Sequence, residues 1–387
     1  MKITNVKIFT MNEEEEIIDN GYVVFENGKI TEVSHGIPKN VGDDDIDGEG
    51  MTLYPGFIDA HTHMGLTSAG VGVEGEDLNE EYDPCTPQLR IIDGVNPMDY
   101  SFRQARQAGV TSVLICPGSA NPIAGDISAF KTAGKRADKM LIKTVGMKFA
   151  LGENPKLNYM DKDQSPCTRM AVAATIREML LKAVRYNSDI TRAENEEADM
   201  PDYDIKLEAL LPVLRREVTA HFHCHRADDI FTAVRIANEF NLDYTLVHCT
   251  DGRLIADELA YESASCIVGP IICDRCKPEM ANLSPDNAAV LTANGLDVAI
   301  CTDHSEVPIE FLPASVGYAV KNGLSFYNGL RSITRNAAKI GRIFDRVGSI
   351  EVGKDADFVM FDESPFDVMA SPSLVVIDGN VIVKELG

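Results

Sequence analysis

The sequence predicts an α/β protein in which a (β/α)₈ barrel carries a small discontinuous β-sandwich domain made from both chain ends. Between residues 53 and 345, short β-branched runs alternate with amphipathic helical stretches, a pattern typical of parallel βα units. Residues 1–52 and 346–387 instead show short alternating apolar runs and tight turns. A chain of 387 residues has room for one large core and a smaller companion.

The two terminal segments are predicted to form one domain. Asn27–Gly28 lies between two alternating apolar runs, as a hairpin turn does, and Asp378–Gly379 does the same near the carboxyl end. Neither segment is large enough to bury a core alone, and both contain strands that need partners. We therefore expect residues 1–52 and 346–387 to pair into a composite β-sandwich, with residues 53–345 as the barrel.

The central segment alternates predicted strands with predicted helices, and eight strands in a segment of this length suit a (β/α)₈ barrel. The strands are predicted at 57–61, 111–116, 126–131, 142–150, 219–224, 244–248, 265–269 and 297–302. The helices are predicted at 98–108, 168–186, 205–216, 228–240, 252–260, 286–294 and 327–340. The acidic stretch 187–204 is too polar to pack, and we expect a mobile insertion there.

The charge balance disfavours two classes of partner. The chain has 60 Asp and Glu against 36 Lys and Arg, a formal net charge of -24. Such a surface repels phosphate backbones and anionic lipids, so we expect a small-molecule substrate and neither nucleic acid nor membrane. The start MKITNVKIFT lacks the blocks of a secretory signal, and no apolar run reaches the roughly 20 residues of a membrane span. We expect a cytoplasmic protein.

The nine cysteines are scattered, and several lie inside apolar runs, as reduced core thiols do. The one close pair, Cys273 and Cys276, has the spacing of half a zinc site or of a redox dithiol. Because no second CxxC follows, we expect two ordinary loop thiols.

The motif PGFIDAHTH at 55–63 is the first candidate for chemistry. Side chains on a strand repeat every two residues, so His61 and His63 point to the same side, about 6.6 Å apart along the strand. That spacing allows two imidazoles to bind one cation. Asp59 shares the same face and is either a supporting partner of these histidines or a plain polar residue of the barrel.

Three further candidates follow apolar runs, as the ends of barrel strands do. They are His223 in VTAHFHCHR, His248 in YTLVHCT and Asp303 in LDVAICTD. Parallel barrel strands end at one mouth, so residues far apart in sequence meet there. Imidazole and carboxylate together are the ligand set of Zn²⁺, Fe²⁺ or Mn²⁺.

The fifth predicted strand contains more histidines than one ion can use. His221, His223 and His225 share a face but span roughly 13 Å, so they cannot all bind the same ion. We assign His223 as the ligand, His225 as a substrate or proton-transfer contact nearer the mouth, and His221 as a buried structural residue. Arg226 either clamps a substrate carboxylate or forms a surface salt bridge.

On these motifs the chain resembles the amidohydrolase superfamily, close to the imidazolonepropionase-like and prolidase-like metal-dependent hydrolases. The resemblance covers essentially the whole length. It is carried by PGFIDAHTH, HCHRADDI at 223–230, LVHC at 246–249, CTDH at 301–304 and VGSIEVGKDADFVMFD at 347–362. It implies a distorted TIM (β/α)₈ barrel with one or two metal ions. The implied ligands are His61, His63, His223, His248 and Asp303.

The resemblance also implies a bridging ligand at the fourth strand, often a carboxylated lysine and in some branches a glutamate. TVGMKFALGENPK offers Lys148 within the strand and Glu153 at its end. We favour Glu153, because it lies where the strand meets the loop, and keep Lys148 as the alternative. Zn²⁺ is the expected metal, with Fe²⁺ and Mn²⁺ as alternatives.

The implied chemistry is metal-assisted hydrolysis of a C–N bond in an amide, a peptide-like bond or a cyclic amide. The metal lowers the pKa of bound water toward about 7. Asp303 would accept the proton of that water and pass it to the leaving nitrogen, while His248 or His225 helps to hold the oxyanion.

Two other functions stay open. An aminohydrolase would deaminate a heterocycle, but deaminase relatives usually place a glutamate three residues after the fifth-strand histidine, where this chain has Arg226. A metal-binding scaffold without turnover is the second alternative, and retention of the HxH pair and Asp303 argues against it. Family analogy adds the expectation of a homodimer.

Overall fold

The computed structural model describes residues 1–68, 72–196 and 198–384. The predicted segments 187–204 and 346–387 therefore lie partly outside the described residues, at 197 and at 385–387. The strands are Lys2–Phe9 (β1), Ile17–Glu26 (β2), Lys29–His35 (β3), Ile46–Asp47 (β4), Thr52–Pro55 (β5), Phe57–Thr62 (β6), Val110–Ile115 (β7), Ile123–Lys131 (β8), Leu141–Ala150 (β9), Thr219–Cys224 (β10), Tyr244–His248 (β11), Ser265–Val268 (β12), Val298–Ile300 (β13), Phe358–Phe361 (β14), Leu374–Ile377 (β15) and Asn380–Lys384 (β16).

Helices cover the barrel strands and connect them. The α-helices are Ile91–Gly94 (α1), Tyr100–Gln107 (α2), Ala137–Met140 (α3), Glu153–Met160 (α4), Arg169–Glu194 (α5), Ile205–Leu214 (α6), Ala227–Phe240 (α7), Ala256–Tyr261 (α8), Asn287–Ala293 (α9), Leu312–Lys321 (α10), Phe326–Ser332 (α11) and Arg335–Ile340 (α12). Short 3-10 helices lie at Gly72–Gly75, Gly252–Leu254, Pro278–Met280 and Ile309–Phe311.

Strands β6 to β13 form a nearly closed eight-stranded barrel sheet in chain order. The pairs β6–β7, β9–β10, β10–β11, β11–β12 and β12–β13 are parallel, but β8 runs antiparallel to both β7 and β9. Parallel neighbours need a crossover of about a dozen or more residues. The 116–122 connection is shorter than that, so the chain turns back and the barrel is distorted at this strand.

Strands β6 and β13 stand at the two ends of the sheet order. Hydrogen bonds from side chains and from the loop after β13 join these two edges and close the barrel. Asp59 Oδ2 accepts hydrogen bonds from the Thr302 amide (3.0 Å) and hydroxyl (2.6 Å), and its Oδ1 accepts one from the His61 amide. The Asp303 amide donates to the His61 carbonyl at 3.2 Å. Asp59 is therefore a buried tie across this seam, supporting the histidine motif from below.

Strands from the two chain ends share the second sheet, in the order β16-β15-β14-β5-β1-β2-β3, with β4 paired to β1. The junction is antiparallel, with Leu53 of β5 opposite Met360 of β14. Apolar side chains from both ends, including Ile8, Leu53 and Phe358, pack into one buried cluster. The division into residues 1–52 with 346–387 and the two-layered sandwich remain predictions.

A buried ion cluster joins β8 of the barrel to the terminal sheet. The Lys131 ammonium lies 2.7 Å from Asp357 and 3.0 Å from both Asp355 and Asp378. Burial alone would lower the pKa of Lys131, but the three carboxylates outweigh it and raise that pKa. The lysine therefore stays charged where barrel and sheet meet.

The expectation of a mobile insertion over 187–204 is wrong for its first part, because α5 continues to Glu194. Asn187 Oδ1 accepts a hydrogen bond from Arg215 at 2.8 Å, and Tyr186 donates to Glu208. Polar contacts with α6 thus fix a stretch that has too few apolar residues to pack.

The predicted helix at 327–340 is also interrupted, because Ile333 ends α11 and the chain turns before α12. No helix in the described ranges is long and apolar enough to cross a bilayer.

Candidate metal centre

The candidate ligands meet at the carboxyl end of the barrel strands. His61 lies near the end of β6, Lys148 in β9, His223 in β10, His248 at the last position of β11, and Asp303 shortly after β13. The four basic residues are at most 3% exposed. The apolar residues around them bury the strands, and the strand ends deliver polar side chains to one place.

The first group is centred on the Asp303 carboxylate. Its Oδ1 lies 3.4 Å from His61 Nε2 and 3.1 Å from His63 Nε2, and Lys148 Nζ lies 3.3 Å from His61 Nε2. His63 Nδ1 donates to the Cys116 carbonyl at 2.7 Å, which leaves Nε2 facing Asp303. Two atoms bound at about 2.1 Å to one ion lie at most about 4.2 Å apart, so this spacing suits a shared cation.

The second group contains His223, His225 and His248, whose nearest ring nitrogens lie within 4.8 Å of one another. His225 stacks on His248, with centroids 4.6 Å apart and an interplanar angle of 7°. His248 Nδ1 donates to the Gly269 carbonyl and His225 Nδ1 pairs with the Thr250 hydroxyl. The Nε2 atoms of both rings are therefore free for a ligand.

The chemistry of the two groups fits a divalent cation. Among the described residues, both ring nitrogens of His223 and Nε2 of His225 are buried without a hydrogen-bond partner. A buried polar atom without a partner is costly, and a metal ion satisfies it. His61, His248 and Asp303 form a third set between the groups, so the arrangement suits one ion or two.

The pKa shifts describe a site ready for a cation. Burial would raise the pKa of the Asp303 carboxyl, but His248, His61 and His63 hold it well below its usual range. Burial lowers the pKa of His248 to about 3, and burial with neighbouring positive charge lowers the pKa values of His223 and His225. Neutral imidazoles beside an ionised carboxylate are what metal coordination requires.

His63 differs from these histidines. Its burial is outweighed by Cys116 and Asp303, which raise its pKa to about 10. The site therefore favours a positive charge beside Asp303, and a divalent cation supplies that charge in place of a proton.

Two candidate ligands sit on strained backbone. His248 has φ 68 and Asp303 has φ 54, both in the left-handed region that favours glycine. Non-glycine residues persist there only where the surroundings hold them, and such positions cluster at functional sites. The backbone at both strand ends is thus shaped to aim these side chains.

The structure places Lys148, the alternative bridging ligand, against His61, and it places Glu153 at the start of α4. Both residues line the cavity, but Lys148 is 1% exposed and contacts His61, whereas Glu153 begins α4. Gly152, at φ 85, turns the chain outward before Glu153, and a Cβ there would lie 2.7 Å from the Glu279 carboxylate.

Arg226 does not face the candidate site. Its guanidinium pairs with Asp228 at 2.9–3.0 Å, and its side chain is 47% exposed. Arg226 therefore forms a surface salt bridge in this structure. His221 pairs in register with Lys148 and is fully buried, outside both histidine groups. A structural place for His221 agrees with its position.

Sequence reasoning did not single out Glu279 and Lys277. The Glu279 side chain is 1% exposed, and its Oε1 lies 3.7 Å from His225 Nε2 and 4.0 Å from His223 Nε2. Both residues lie between β12 and α9, with Glu279 in the short 3-10 helix Pro278–Met280, and no periodicity in the sequence marks either position. Only the folded path of that segment brings them to the histidines.

A cavity of about 440 Å³ opens above both groups. Its lining includes His63, His223, His248 and Asp303 at the floor. Cys273 and Cys276 lie on its wall, so the CxxC pair borders the candidate site. The volume is typical of sites for small molecules.

A model of the amidohydrolase family matches residues 52–384. The chain belongs to the amidohydrolase family. The resemblance that rested on the histidine motifs and the CTDH segment is confirmed, and the nearly closed barrel agrees with it.

Individual amidohydrolases support this membership. A crystal structure of an amidohydrolase from Thermotoga maritima MSB8 is 37% identical, with a TM-score of 0.94 over 99% of both chains. Amidohydrolase tasK of Hapsidospora irregularis is 30% identical over 93% of this chain and 39% of its own length.

A 5-methylthioadenosine/S-adenosylhomocysteine deaminase of Clostridium tetani is 42% identical over 96 residues, 23% of this chain and 22% of that protein. The chain thus spans well under half the length of the curated relatives it matches.

Proposed function

We propose that the protein is a metal-dependent hydrolase that cleaves a C–N bond of a small molecule, in an amide, a peptide-like bond or a cyclic amide. The observation that carries this proposal is the position of Asp303, whose Oδ1 lies within 3.4 Å of both His61 Nε2 and His63 Nε2. This carboxylate faces a cavity large enough for a small substrate.

The residues proposed to hold the metal are His61, His63, His223, His248 and Asp303, with Lys148 between the two groups. A divalent cation bound there supplies a water nucleophile that is active near neutral pH and polarises the scissile carbonyl. We propose Zn²⁺, with Fe²⁺ or Mn²⁺ as alternatives, because imidazole and carboxylate ligands suit all three.

Asp303 is proposed to move the proton. Its low pKa keeps it ionised at neutral pH, so it can accept a proton from the attacking water. The same carboxyl then donates that proton to the leaving nitrogen. His225 is proposed to face the substrate, because its Nε2 is buried at the edge of the cavity.

Deamination of a heterocycle is the second candidate, and one observation favours it. Arg226 occupies the sequence position of the usual deaminase glutamate, but the buried Glu279 carboxylate approaches His225 and His223 from another segment. An acid is therefore present near the position that deamination needs. The local similarity to a deaminase adds support over 96 residues.

One experiment separates these candidates. The protein is loaded with Zn²⁺, Fe²⁺ or Mn²⁺ and tested against N-acyl amino acids, dipeptides, cyclic imides and amino-substituted heterocycles. Release of an amine or ring-opened acid supports amide hydrolysis, whereas release of ammonia from a heterocycle supports deamination.

The double variant His61→Ala, His63→Ala is the metal-binding control, and elemental analysis should show its metal content collapse. His35→Ala, at an exposed position, should keep the metal. Stoichiometric metal in the double variant would contradict the assignment, and no turnover of any substrate by the metal-loaded protein would contradict both candidate functions.

A further inference from the structure

The Lys277 ammonium is held at the wall of the candidate active site by two fixed oxygens. Its Nζ lies 2.9 Å from Glu279 Oε1 and 3.0 Å from Asn154 Oδ1. The side chain is 23% exposed and lines the cavity above the metal groups. A flexible lysine is thus fixed in place beside the substrate space.

The partner of Lys277, Glu279, is itself held by further contacts. Glu279 Oε2 accepts a hydrogen bond from the Glu153 amide at 2.9 Å, and Arg169 approaches the same oxygen at 4.0 Å. Because the carboxylate is nearly fully buried, it cannot rotate into solvent. The position of the ammonium is therefore set before any substrate binds.

An ammonium has three donors. Among the described contacts one of them forms a hydrogen bond, to Asn154 Oδ1, while the Glu279 carboxylate is an ion-pair partner. The ammonium borders the cavity, and its partner Glu279 Oε1 lies 3.7 Å from His225 Nε2, so donors of Lys277 are available near the histidines. Lys277 and the histidines therefore line one cavity.

Lys277 is also the cation that a substrate can reach. In the described part of the cavity lining, the lysine and arginine side chains are Lys148 and Lys277, and Lys148 is buried against His61. Glu81, Glu153 and Glu306 line the same cavity and repel anions. An anionic group of the substrate is therefore stabilised at Lys277 and disfavoured elsewhere.

We propose that Lys277 binds a carboxylate of the substrate, so that the substrate is an N-acyl amino acid or a peptide-like amide with a free carboxylate. This inference rests on the proposed hydrolase function. It gives Lys277 the clamping role that the sequence suggested for Arg226, whose guanidinium is paired with Asp228.

The test uses two pairs of compounds, each an acid and its neutral amide. The first pair is N-acetylglycine and N-acetylglycinamide, and the second is the best-hydrolysed acid substrate and its carboxamide. Lys277→Met should raise KM for the acid roughly tenfold or more, because a charge-assisted hydrogen bond is lost. The KM of the carboxamide and the metal content should stay near wild type. Lys277→Arg should recover part of the affinity for the acid.

Two variants control for indirect effects. Lys156→Met, on α4 and outside the cavity lining, should leave the KM of both the acid and the amide unchanged. Lys277→Met with Glu279→Gln removes the buried carboxylate that would otherwise lose its partner, and it should discriminate against the acid as the single variant does. Equal loss for acid and amide in that double variant, or an equal effect of Arg226→Met on the acid, would overturn the proposal.

Calorimetric binding to metal-loaded Asp303→Asn separates this proposal from the proposed function. In that variant we expect tighter binding of N-acetylglycine than of its amide, and we expect the difference to disappear when Lys277→Met is added. This result supports carboxylate binding by Lys277 even if no substrate is hydrolysed. Turnover of amides without any Lys277-dependent preference would leave the hydrolase function standing and refute the clamp.

Discussion

The ammonium of Lys148 lies 3.3 Å from Nε2 of His61, across the barrel interior from β9 to β6. After burial, its charge also contributes to the low pKa values of His223 and His248. Lys148 is therefore the candidate bridging residue that contacts the first histidine group.

Replacing Lys148 should disturb the metal centre, and replacing Glu153 should not. We expect Lys148→Met to lose part or all of its metal on dialysis against a chelator, because the side chain between the two groups is gone. Glu153→Gln, which lines only the cavity, should keep the wild-type content by elemental analysis. The opposite pattern would restore Glu153 as the bridging ligand.

Asp303→Asn tests the proton-transfer role. Asparagine keeps the size and one oxygen but cannot carry the proton at neutral pH, so part of the metal should remain. Turnover should fall by roughly 10² to 10⁴, the range that general acid–base catalysis contributes. Wild-type turnover in a variant with normal metal content would show that another group moves the proton.

His221 should make the protein sensitive to acid. Burial lowers its pKa to about 3 from an ordinary value of 6.5, so between those pH values the unfolded chain takes up a proton that the folded chain does not. Stability is therefore present above pH 6.5 and is lost as the pH falls toward 3.

Urea unfolding of wild type and His221→Leu at several pH values checks this expectation. The variant should lose less stability than wild type between pH 6.5 and 4, since the other buried histidines contribute equally to both. Parallel curves would contradict it.

Lys131→Met should weaken the joint between the barrel and the terminal sheet. It leaves the buried Asp357 carboxylate without its cation, whereas Asp355 keeps Lys29 and Arg346. Breaking a buried ion pair on one side costs about 3–5 kcal/mol. The midpoint of urea unfolding should fall accordingly. Lys135→Met, at an exposed position, should leave the midpoint within the error of the measurement.

Much of the barrel could be predicted because strands and their polar ends leave a local pattern. Short apolar runs located β6 to β13, and a polar residue at the end of a run located His223, His248 and Asp303. The direction of β8 could not be read from its own residues, since it depends on the length of the connections on either side.

The parts that escaped prediction depend on side-chain direction and loop path. Arg226 comes two residues after the end of the histidine-rich strand β10, yet its side chain turns to Asp228. Lys277 and Glu279 come from a segment without periodicity, and their contact with the histidines exists only after the chain has folded. The sequence pattern alone predicts neither the direction of the Arg226 side chain nor the position of the Lys277 segment.

The position of the metal centre at the seam between β6 and β13 links metal binding to the stability of the barrel. His61 and His63 belong to one edge of that seam and Asp303 to the other, where Asp59 and Thr302 already join the edges. A cation bound by all three would act as a clasp on the barrel. Opening the seam would pull its ligands apart, so releasing the metal and loosening the barrel should be the same event.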